Sequence, residues 1–243
     1  MSQNYHLIRH EVVDSTQLEL KKFLERNPQT TEVIAVCAQT QLRGTGRGVS
    51  VWQDEPGHSA LFSVFIRWPK PVRESFLVNK WMCHVLATVM PKTVQYKWPN
   101  DLMVGTKKLG GLLIENRWEG KGIASSIIGC GINVRKSSDQ LERAVSLEEM
   151  EIPIAVDETI ETIVEAMHAS ITWIQNEALL ERRYAGLLWG QNTFEQYMRT
   201  IDQHCFHAKV LGVSNQGKLH LETQQGERSY YALDDIRWDT SDS

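Results

Sequence analysis

The sequence predicts an α+β fold, in which a mixed or antiparallel sheet is flanked by helices and followed by a small β-barrel. Apolar residues recur at helical spacing in three segments, at residues 14–27, 72–90 and 157–188. Short apolar strands alternate with tight turns between them, and the tail of the chain has strand patterning alone. We therefore predict a main domain over residues 1–190 and a small β-barrel domain over residues 191–243.

The chain begins with a predicted helix that is followed by two strands. Asp14 and Ser15 precede an amphipathic segment and cap the helix, which ends near Pro28. Residues 33–38 form a β-branched apolar run typical of a buried strand, and residues 60–66 form the next strand. A polar, glycine-rich loop connects the two strands.

Prolines delimit the second predicted helix. Pro69 and Pro71 introduce it, and Pro91 stops it. The pattern then changes to short strands joined by tight turns such as Gly105-Thr106. The strands of this meander are predicted at residues 94–98, 102–104, 112–118 and 124–128.

The last part of the chain combines one long helix with a strand-rich tail. Ile and Val residues at helical spacing predict the helix over residues 157–188. Strands follow at residues 208–213, 219–222 and 230–238, with a turn at residues 214–217.

Composition excludes several classes of protein. The chain has 243 residues, 42% of them hydrophobic, and a net charge of −4, which does not favour a nucleic-acid partner. No apolar run is long enough for a signal peptide or a membrane span. We therefore expect a cytoplasmic protein that binds neither nucleic acid nor a membrane. The scattered cysteines predict neither a disulfide framework nor a metal site, and they are Cys37, Cys83, Cys130 and Cys205.

Glycines concentrate in two stretches, of which the first follows Gln41. Gly44, Gly46 and Gly48 alternate with other residues and expose backbone N–H groups that suit phosphate oxygens, and neighbouring arginines add positive charge. A flexible exposed loop has the same composition. Both interpretations stay open for this stretch taken alone.

The second stretch contains two lysine motifs, Lys97 to Asp101 (K-W-P-N-D) and Lys108 to Gly111 (K-L-G-G). A lysine beside two glycines can bring its ammonium to carboxylate or phosphate oxygens while the backbone lies flat on a ligand. Solvated hairpin lysines and a turn-capping aspartate would give the same pattern. Gly129 to Asn133 (G-C-G-I-N) is a third motif. Its two glycines predict either a strand end that lies against a flat ligand or an ordinary β-bulge.

Together and in this order, the motifs resemble the biotin–protein ligase family. The resemblance covers most of the chain and implies a class II synthetase or biotin ligase-like catalytic domain with an SH3-like C-terminal barrel. It also implies an ATP-dependent ligase that converts biotin to biotinyl-5'-AMP and transfers it to a lysine of a biotin carboxyl carrier protein. The motifs that carry it are Asp14 to Thr16, the glycine-arginine loop up to Trp52, K-W-P-N-D, K-L-G-G and Gly129 to Asn133.

The resemblance implies a biotin-binding role for several residues. Ser15, Thr16 and Gln17 would line the polar ureido end of biotin, since hydroxyls and an amide can both donate and accept hydrogen bonds. The other expected contacts with biotin or the nucleotide are Gln41, Gly44, Thr45, Gly46, Trp52, Gly111, Leu113, Cys130 and Asn133.

The resemblance also implies the catalytic residues. Lys108 would contact the biotin carboxylate and the α-phosphate, with Arg47 adding a second charge. Asp101 would orient the acceptor amine or accept its proton. Biotin and ATP would be the substrates, and Mg²⁺ would accompany ATP.

Two positions depart from the family pattern. Thr45 stands where the loop usually has its first basic residue, while Arg47 keeps the second, and Arg43 is the candidate to replace the missing charge. Gln17 replaces the more common asparagine with a longer amide that has the same donors and acceptor, so we expect the change to be tolerated.

The expected partner is the carrier domain of acetyl-CoA carboxylase or a related carboxylase. The sequence does not give the oligomeric state, although such cores often form a homodimer through exposed sheet edges. Because Ser15 comes so early, we expect no N-terminal DNA-binding domain. Two other functions stay open. A lipoate– or octanoate–protein ligase has a related fold, although K-W-P-N-D and Ser15-Thr16 favour biotin. A non-catalytic biotin- or nucleotide-binding module is compatible with Thr45, and ATP-dependent release of pyrophosphate would distinguish it from a ligase.

Overall fold

A computed structural model describes residues 5–44, 46, 52, 55–137 and 143–238. Seven strands form its main sheet: β1 (Tyr5–Val13), β2 (Val33–Gln41), β3 (Ser59–Val72), β4 (Val94–Lys97), β5 (Asp101–Val104), β6 (Lys107–Glu119) and β7 (Gly122–Asn133). Their order across the sheet is β1-β2-β3-β7-β6-β5-β4. β1 and β2 are parallel, and the other neighbours are antiparallel, so the sheet is mixed as predicted.

Four α-helices flank this sheet: α1 (Thr16–Arg26), α2 (Ser75–Val89), α3 (Val156–Ala169) and α4 (Glu177–Leu187). Alternate residues of β2 point to opposite faces. Ile34 and Val36 pack with Leu20 of α1, whereas Val33 and Ala35 belong to the larger core, which includes α2 and α3. Within the described residues, no helix is long and apolar enough to cross a membrane.

Two predicted boundaries of the helical segments are wrong. Pro69 and Pro71 do not introduce α2 but lie in β3, where its pairing with β7 is irregular, so a missing ladder hydrogen bond is tolerated. The segment 157–188 is not one helix. A short 3₁₀ helix interrupts it, and the side chain of Asn176 accepts a 3.2 Å hydrogen bond from the N–H of Leu179 to start α4.

The tail forms a second, antiparallel sheet of five strands: β8 (Glu195–Arg199), β9 (Cys205–Val213), β10 (Leu219–Thr223), β11 (Arg228–Tyr231) and β12 (Ile236–Trp238). The order across it is β11-β10-β9-β8-β12. The predicted single strand 230–238 is therefore wrong, because a turn separates β11 from β12. The small C-terminal sheet agrees with the predicted barrel, whereas the boundary between residues 190 and 191 stays a prediction.

A buried lysine and a tryptophan attach the second sheet to the main domain. Lys80 of α2 is fully buried and forms an ion pair with Glu181 of α4. Its ammonium also donates to the Val213 carbonyl oxygen at 3.4 Å and to Asn215 Oδ1 at 3.2 Å. Nε1 of Trp98 donates to the Gly217 carbonyl oxygen at 2.9 Å. Satisfied buried polar groups of this kind fix the second sheet in one position.

Candidate functional site

A cavity of about 720 Å³ lies at the N-terminal end of α1, between the glycine-rich parts of β6 and β7 and the second sheet. This volume is typical of small-molecule sites. The cavity brings together most of the residues that the sequence predicts. They are Ser15, Thr16, Gln17, Gln41, Gly46, Trp52, Asp101, Lys108, Gly111, Leu113 and Cys130.

One end of the cavity has a fixed set of polar groups around the start of α1. The Thr16 N–H donates to Gln41 Oε1 at 2.8 Å, and the Thr16 hydroxyl lies 3.2 Å from the same oxygen. The Ser63 hydroxyl lies 2.9 Å from that of Thr16. If Thr16 donates to Gln41, Ser63 must donate to Thr16, because each hydroxyl has one proton. These bonds orient the polar end of the cavity.

Gln17 adds an amide whose hydrogen-bonding capacity is unused within the described part of the chain. The residue is 5% exposed, and neither Oε1 nor Nε2 has a partner there. A Cβ at Gly129 would lie 2.5 Å from Oε1, so only glycine leaves room for this amide. Because an unpaired buried polar group is costly, this end favours a ligand that offers both a donor and an acceptor.

The middle of the cavity has a floor of peptide groups, covered by Trp52. A Cβ at Gly131 would lie 2.9 Å from Cε2 of Trp52, and one at Gly111 would lie 3.6 Å from Cζ3. The Trp52 N–H donates to the Gly44 carbonyl oxygen at 2.9 Å, so Gly44 positions the tryptophan without lining the cavity itself. A floor without side chains accepts a flat group.

The other end of the cavity carries an opposite-charge pair. Nζ of Lys108 lies 2.7 Å from Oδ1 of Asp101, and the two side chains are 42% and 30% exposed. Such an exposed pair contributes little to stability. Its value lies in placing a cation and a carboxylate at one edge of the cavity, where an anionic ligand and an amine could both be bound.

Asn133 supports Lys108 and does not line the cavity. Its Nδ2 donates to the carbonyl oxygens of Lys108 at 3.4 Å and Val145 at 3.1 Å. The Lys108 N–H donates to the Arg143 carbonyl oxygen at 2.7 Å. These contacts hold the backbone of Lys108 in place.

The sequence analysis also singled out three other residues of the glycine-rich loop. Thr45 and Arg47 lie outside the described residues. Arg43 is exposed and does not line the cavity, so its predicted replacement of a missing charge stays a prediction.

Cys130 lies within β7 and contributes its backbone to the cavity wall. Burial raises the pKa of its thiol far above the ordinary range. The thiol therefore stays protonated at neutral pH and is unsuited to act as a nucleophile.

The second sheet closes the cavity with residues that the sequence analysis did not single out. No motif marks them, because they meet the main sheet only through tertiary packing. They are Thr200, Leu233, Asp234, Ile236, Arg237 and Trp238. Ser63 was also missed, and Asn100 was singled out only as part of the K-W-P-N-D motif, without a role of its own. Asn100 donates to the Leu112 carbonyl oxygen at 3.0 Å and holds the K-W-P-N-D turn on β6.

Comparisons with known proteins agree with this fold. Bifunctional ligase/repressor BirA of Bacillus spizizenii is 28% identical over 248 residues, which cover 94% of this chain and 73% of the relative. Biotin protein ligase from Aquifex aeolicus, solved with biotin and ATP, matches with a TM-score of 0.73 at 21% identity over 96% of this chain and 99% of its own. The biotin acetyl coenzyme A carboxylase synthetase of Helicobacter pylori, solved with biotinylated ATP, matches with a TM-score of 0.59 at 18% identity over 93% and 99%. At these identities the two solved structures confirm the predicted α+β fold class.

The fold and the cavity define a protein that binds a small molecule between a glycine-floored sheet and a small C-terminal sheet. The model of the Biotin/lipoate A/B protein ligase family matches residues 10–133, which are more than half of the chain. The chain belongs to this family, and the resemblance seen in its motifs is confirmed.

Gly110 and Gly111 are adjacent but have different tasks, which single substitutions should separate. A Cβ at Gly110 would lie 2.5 Å from the Gly131 carbonyl oxygen, so Gly110→Ala must push β6 and β7 apart. We expect it to cost about 1–3 kcal/mol of unfolding free energy in urea denaturation. Gly111→Ala meets nothing closer than 3.6 Å and should keep the wild-type stability while weakening ligand binding. Equal stability of the two variants would contradict this assignment.

Gln17 and Gly129 should behave as a size-matched pair. Gly129→Ala forces the Gln17 amide out of place, and we expect it to weaken ligand binding about tenfold to a hundredfold in calorimetric titration. Adding Gln17→Asn shortens the amide and should restore part of the lost affinity. Gly186→Ala is the control, because nothing lies within 4 Å of its added Cβ. If the double variant binds no better than Gly129→Ala alone, the two residues are not coupled in this way.

Proposed function

We propose that this chain is an ATP-dependent biotin–protein ligase, which forms biotinyl-5'-AMP and transfers the biotinyl group to a lysine of a carrier protein. The observation that carries the proposal is the buried, unpartnered amide of Gln17 beside the hydroxyls of Ser15 and Thr16. A cyclic urea offers two N–H donors and one carbonyl acceptor, which match such an end. The dithiolane ring of lipoate offers neither, so the polar end favours biotin within the family.

The other groups are arranged along one ligand. From the polar end at Gln17, the floor of Gly129, Gly131 and Gly111 leads to the Lys108–Asp101 pair. A bicyclic head with an acyl chain would lie along this floor, and its carboxylate would reach the ammonium of Lys108. The polar head is thereby separated from the reacting carboxylate.

In the first reaction, an oxygen of the biotin carboxylate attacks the α-phosphorus of ATP. A P–O bond to the β-phosphate breaks, and pyrophosphate leaves with the bonding electrons. Lys108 would bring the two anions together and stabilise the charge that develops between them. Arg47 lies outside the described residues, and its contribution of a second positive charge to this step stays a prediction.

Mg²⁺ would arrive with ATP as part of the substrate. In the described residues, no group of three or more His, Cys, Asp or Glu side chains could hold a metal ion. A nucleotide-bound Mg²⁺ takes most of its ligands from phosphates and water and needs only one or two carboxylates. Among the described residues, Asp101 and Asp234 are the carboxylates that line the cavity.

In the second reaction, the amine of the acceptor lysine attacks the carbonyl carbon of biotinyl-AMP. An N–C bond forms, the C–O bond to AMP breaks, and the amine loses a proton. A free lysine has a pKa of about 10.4, so the amine must be deprotonated as it reacts. We assign Asp101 the role of orienting this amine or accepting its proton, and the assignment is supported by its position beside Lys108 at the edge of the cavity.

The carrier domain of acetyl-CoA carboxylase or a related carboxylase is the proposed acceptor, because it is the carrier that the family resemblance implies. The cytoplasm is the proposed compartment. Cys37, Cys83 and Cys130 are buried and form no disulfide, which is compatible with a reducing environment. A homodimer stays a prediction, for which β1 and β4 offer the edges of the main sheet.

The function is tested by incubating the purified protein with ATP, Mg²⁺ and either biotin or lipoate. We expect pyrophosphate release and biotinyl-AMP by mass spectrometry with biotin, and loss of the adenylate when a carrier domain is added. Lipoyl-AMP as the preferred product would assign the chain to the lipoate branch of the family. Binding of biotin without any adenylate would instead support a non-catalytic module.

Substitutions at the charged pair should separate the two reactions. Lys108→Ala removes the ammonium that faces the carboxylate and the phosphate, and we expect adenylate formation to slow by about 10²–10³-fold. Asp101→Asn should mainly slow transfer from preformed biotinyl-AMP to the carrier.

Lys107→Ala is the control for Lys108→Ala, because Lys107 is exposed and does not line the cavity. An unchanged adenylation rate in Lys108→Ala would remove this lysine from the site. Near-normal transfer by Asp101→Asn at saturating carrier would show that the Asp101 carboxylate has no role in the transfer reaction.

A further inference from the structure

Lys97 is a second ammonium in the cavity wall, and its surroundings differ from those of Lys108. It ends β4, immediately before Trp98, and lines the cavity. Lys108 is paired with Asp101, whereas Lys97 donates no hydrogen bond and forms no ion pair within the described part of the chain. An ammonium has three N–H donors, so a cavity-facing lysine without an acceptor is suited to bind an anionic ligand.

Two tryptophans hold this ammonium in place. Its Nζ lies 4.9 Å from the ring centroid of Trp189 and 4.3 Å from that of Trp238. The indole rings meet edge to face, with their centroids 5.0 Å apart. Both distances to Lys97 lie within the range of cation–π contacts. The tryptophan pair (Trp189 and Trp238) therefore fixes a positive charge without neutralising it.

Hydrogen bonds fix the tryptophan pair to the backbone on either side of Lys97. The Trp189 N–H donates to the Tyr96 carbonyl oxygen at 3.0 Å, and its Nε1 donates to the Gly105 carbonyl oxygen at 2.8 Å. Nε1 of Trp238 donates to the Trp98 carbonyl oxygen at 3.3 Å. The tail of the chain thus determines where the ammonium of Lys97 points.

We propose that Lys97 binds the phosphate oxygens of ATP and neutralises the departing pyrophosphate, and that Trp189 and Trp238 are its positioning residues. The inference rests on the proposed function, because it names the group that takes the leaving-group charge of the adenylation reaction. As the α–β bridging P–O bond breaks, negative charge accumulates on pyrophosphate, and a preorganised cation stabilises that charge. No proton needs to move in this step.

The proposal assigns Lys97 to one half of the reaction only. Pyrophosphate is formed in adenylation and is absent from the transfer of biotin to the carrier. A residue that binds pyrophosphate must therefore affect the first reaction and spare the second. A residue that only joins the second sheet to β4 would affect both reactions together with the stability of the fold.

The charge on Lys97 gives a further, independent readout. Burial lowers the pKa of its ammonium, which Asp101 and Glu195 partly oppose, while Lys108 and Arg143 lower it further. The ammonium therefore loses its proton at a lower pH than an ordinary lysine. ATP affinity that depends on Lys97 should fall as the pH rises into the alkaline range, and an arginine at this position should remove that fall because it stays charged.

The test compares Lys97→Met, Lys97→Arg and Trp238→Leu in the full chain. For Lys97→Met, we expect the KM for ATP to rise about tenfold or more, because a charge-assisted hydrogen bond is lost. The inhibition constant of magnesium pyrophosphate should rise in parallel, and transfer from supplied biotinyl-AMP should stay within about twofold of the wild type. Lys97→Arg should restore ATP binding with a flatter alkaline pH profile, and Trp238→Leu should resemble Lys97→Met more weakly.

Lys121→Met is the matched control, since Lys121 is exposed in the turn between β6 and β7, away from the cavity. An unchanged KM for ATP in Lys97→Met, with active wild-type protein, would overturn the proposal. If Lys97→Met loses adenylation and transfer equally and has a lowered melting temperature, Lys97 has only a structural role and the proposal is overturned. If Lys97→Met does not fold, the same result in Lys97→Arg would overturn the proposal. Absence of biotinyl-AMP from the wild type would be a failure of the proposed function itself.

Discussion

The close approach of β6 and β7, where glycines replace side chains, is the constraint on which the rest of the site depends. A methyl group at Gly110 would lie 2.5 Å from the Gly131 carbonyl oxygen, and Gly131 itself carries the ring of Trp52. In this structure the flat group that lies directly on these peptide groups is the indole of Trp52, so a ligand must lie beside this ring or displace it. The amide of Gln17 and the ammonium of Lys108 then stand at opposite ends of one surface. A ligand that is polar at one end and anionic at the other spans both.

The two sheets divide the recognition of such a ligand between them. The main sheet and α1 supply the polar end, whose groups are fixed by local hydrogen bonds such as that from Thr16 to Gln41. The anionic end depends on the second sheet, because Trp238 is held there and contacts Lys97. The hydrogen bonds from Lys80 to Val213 and Asn215, and the one from Trp98 to the tail, are therefore part of the site's geometry, although none of them touches the floor.

The sequence predicts elements well where its signals are local. Ser15 and the apolar spacing that follows it locate α1, and the motifs locate the glycine floor. The signals fail where tertiary contacts decide. β1 is an edge strand in which Arg9, His10 and Glu11 are consecutive polar residues, so it lacks the alternation typical of a strand. The helix predicted over residues 157–188 breaks at Ser170 without a glycine or proline. The pairing of Lys97 with Trp238 joins residues far apart in sequence, so no spacing rule predicts it.

The fold alone does not choose between biotin and lipoate, since one family contains ligases for both. The selectivity must come from groups that bind one ligand more tightly than the other. A site built to hydrogen-bond a ligand rejects an analogue without those groups, because its buried polar atoms are then left unpaired. The buried amide of Gln17, with donor and acceptor both unused by the described residues, meets this condition. Under the proposed function, its main effect would therefore be on specificity, because the unpaired amide would disfavour an apolar ring more strongly than it would favour a urea.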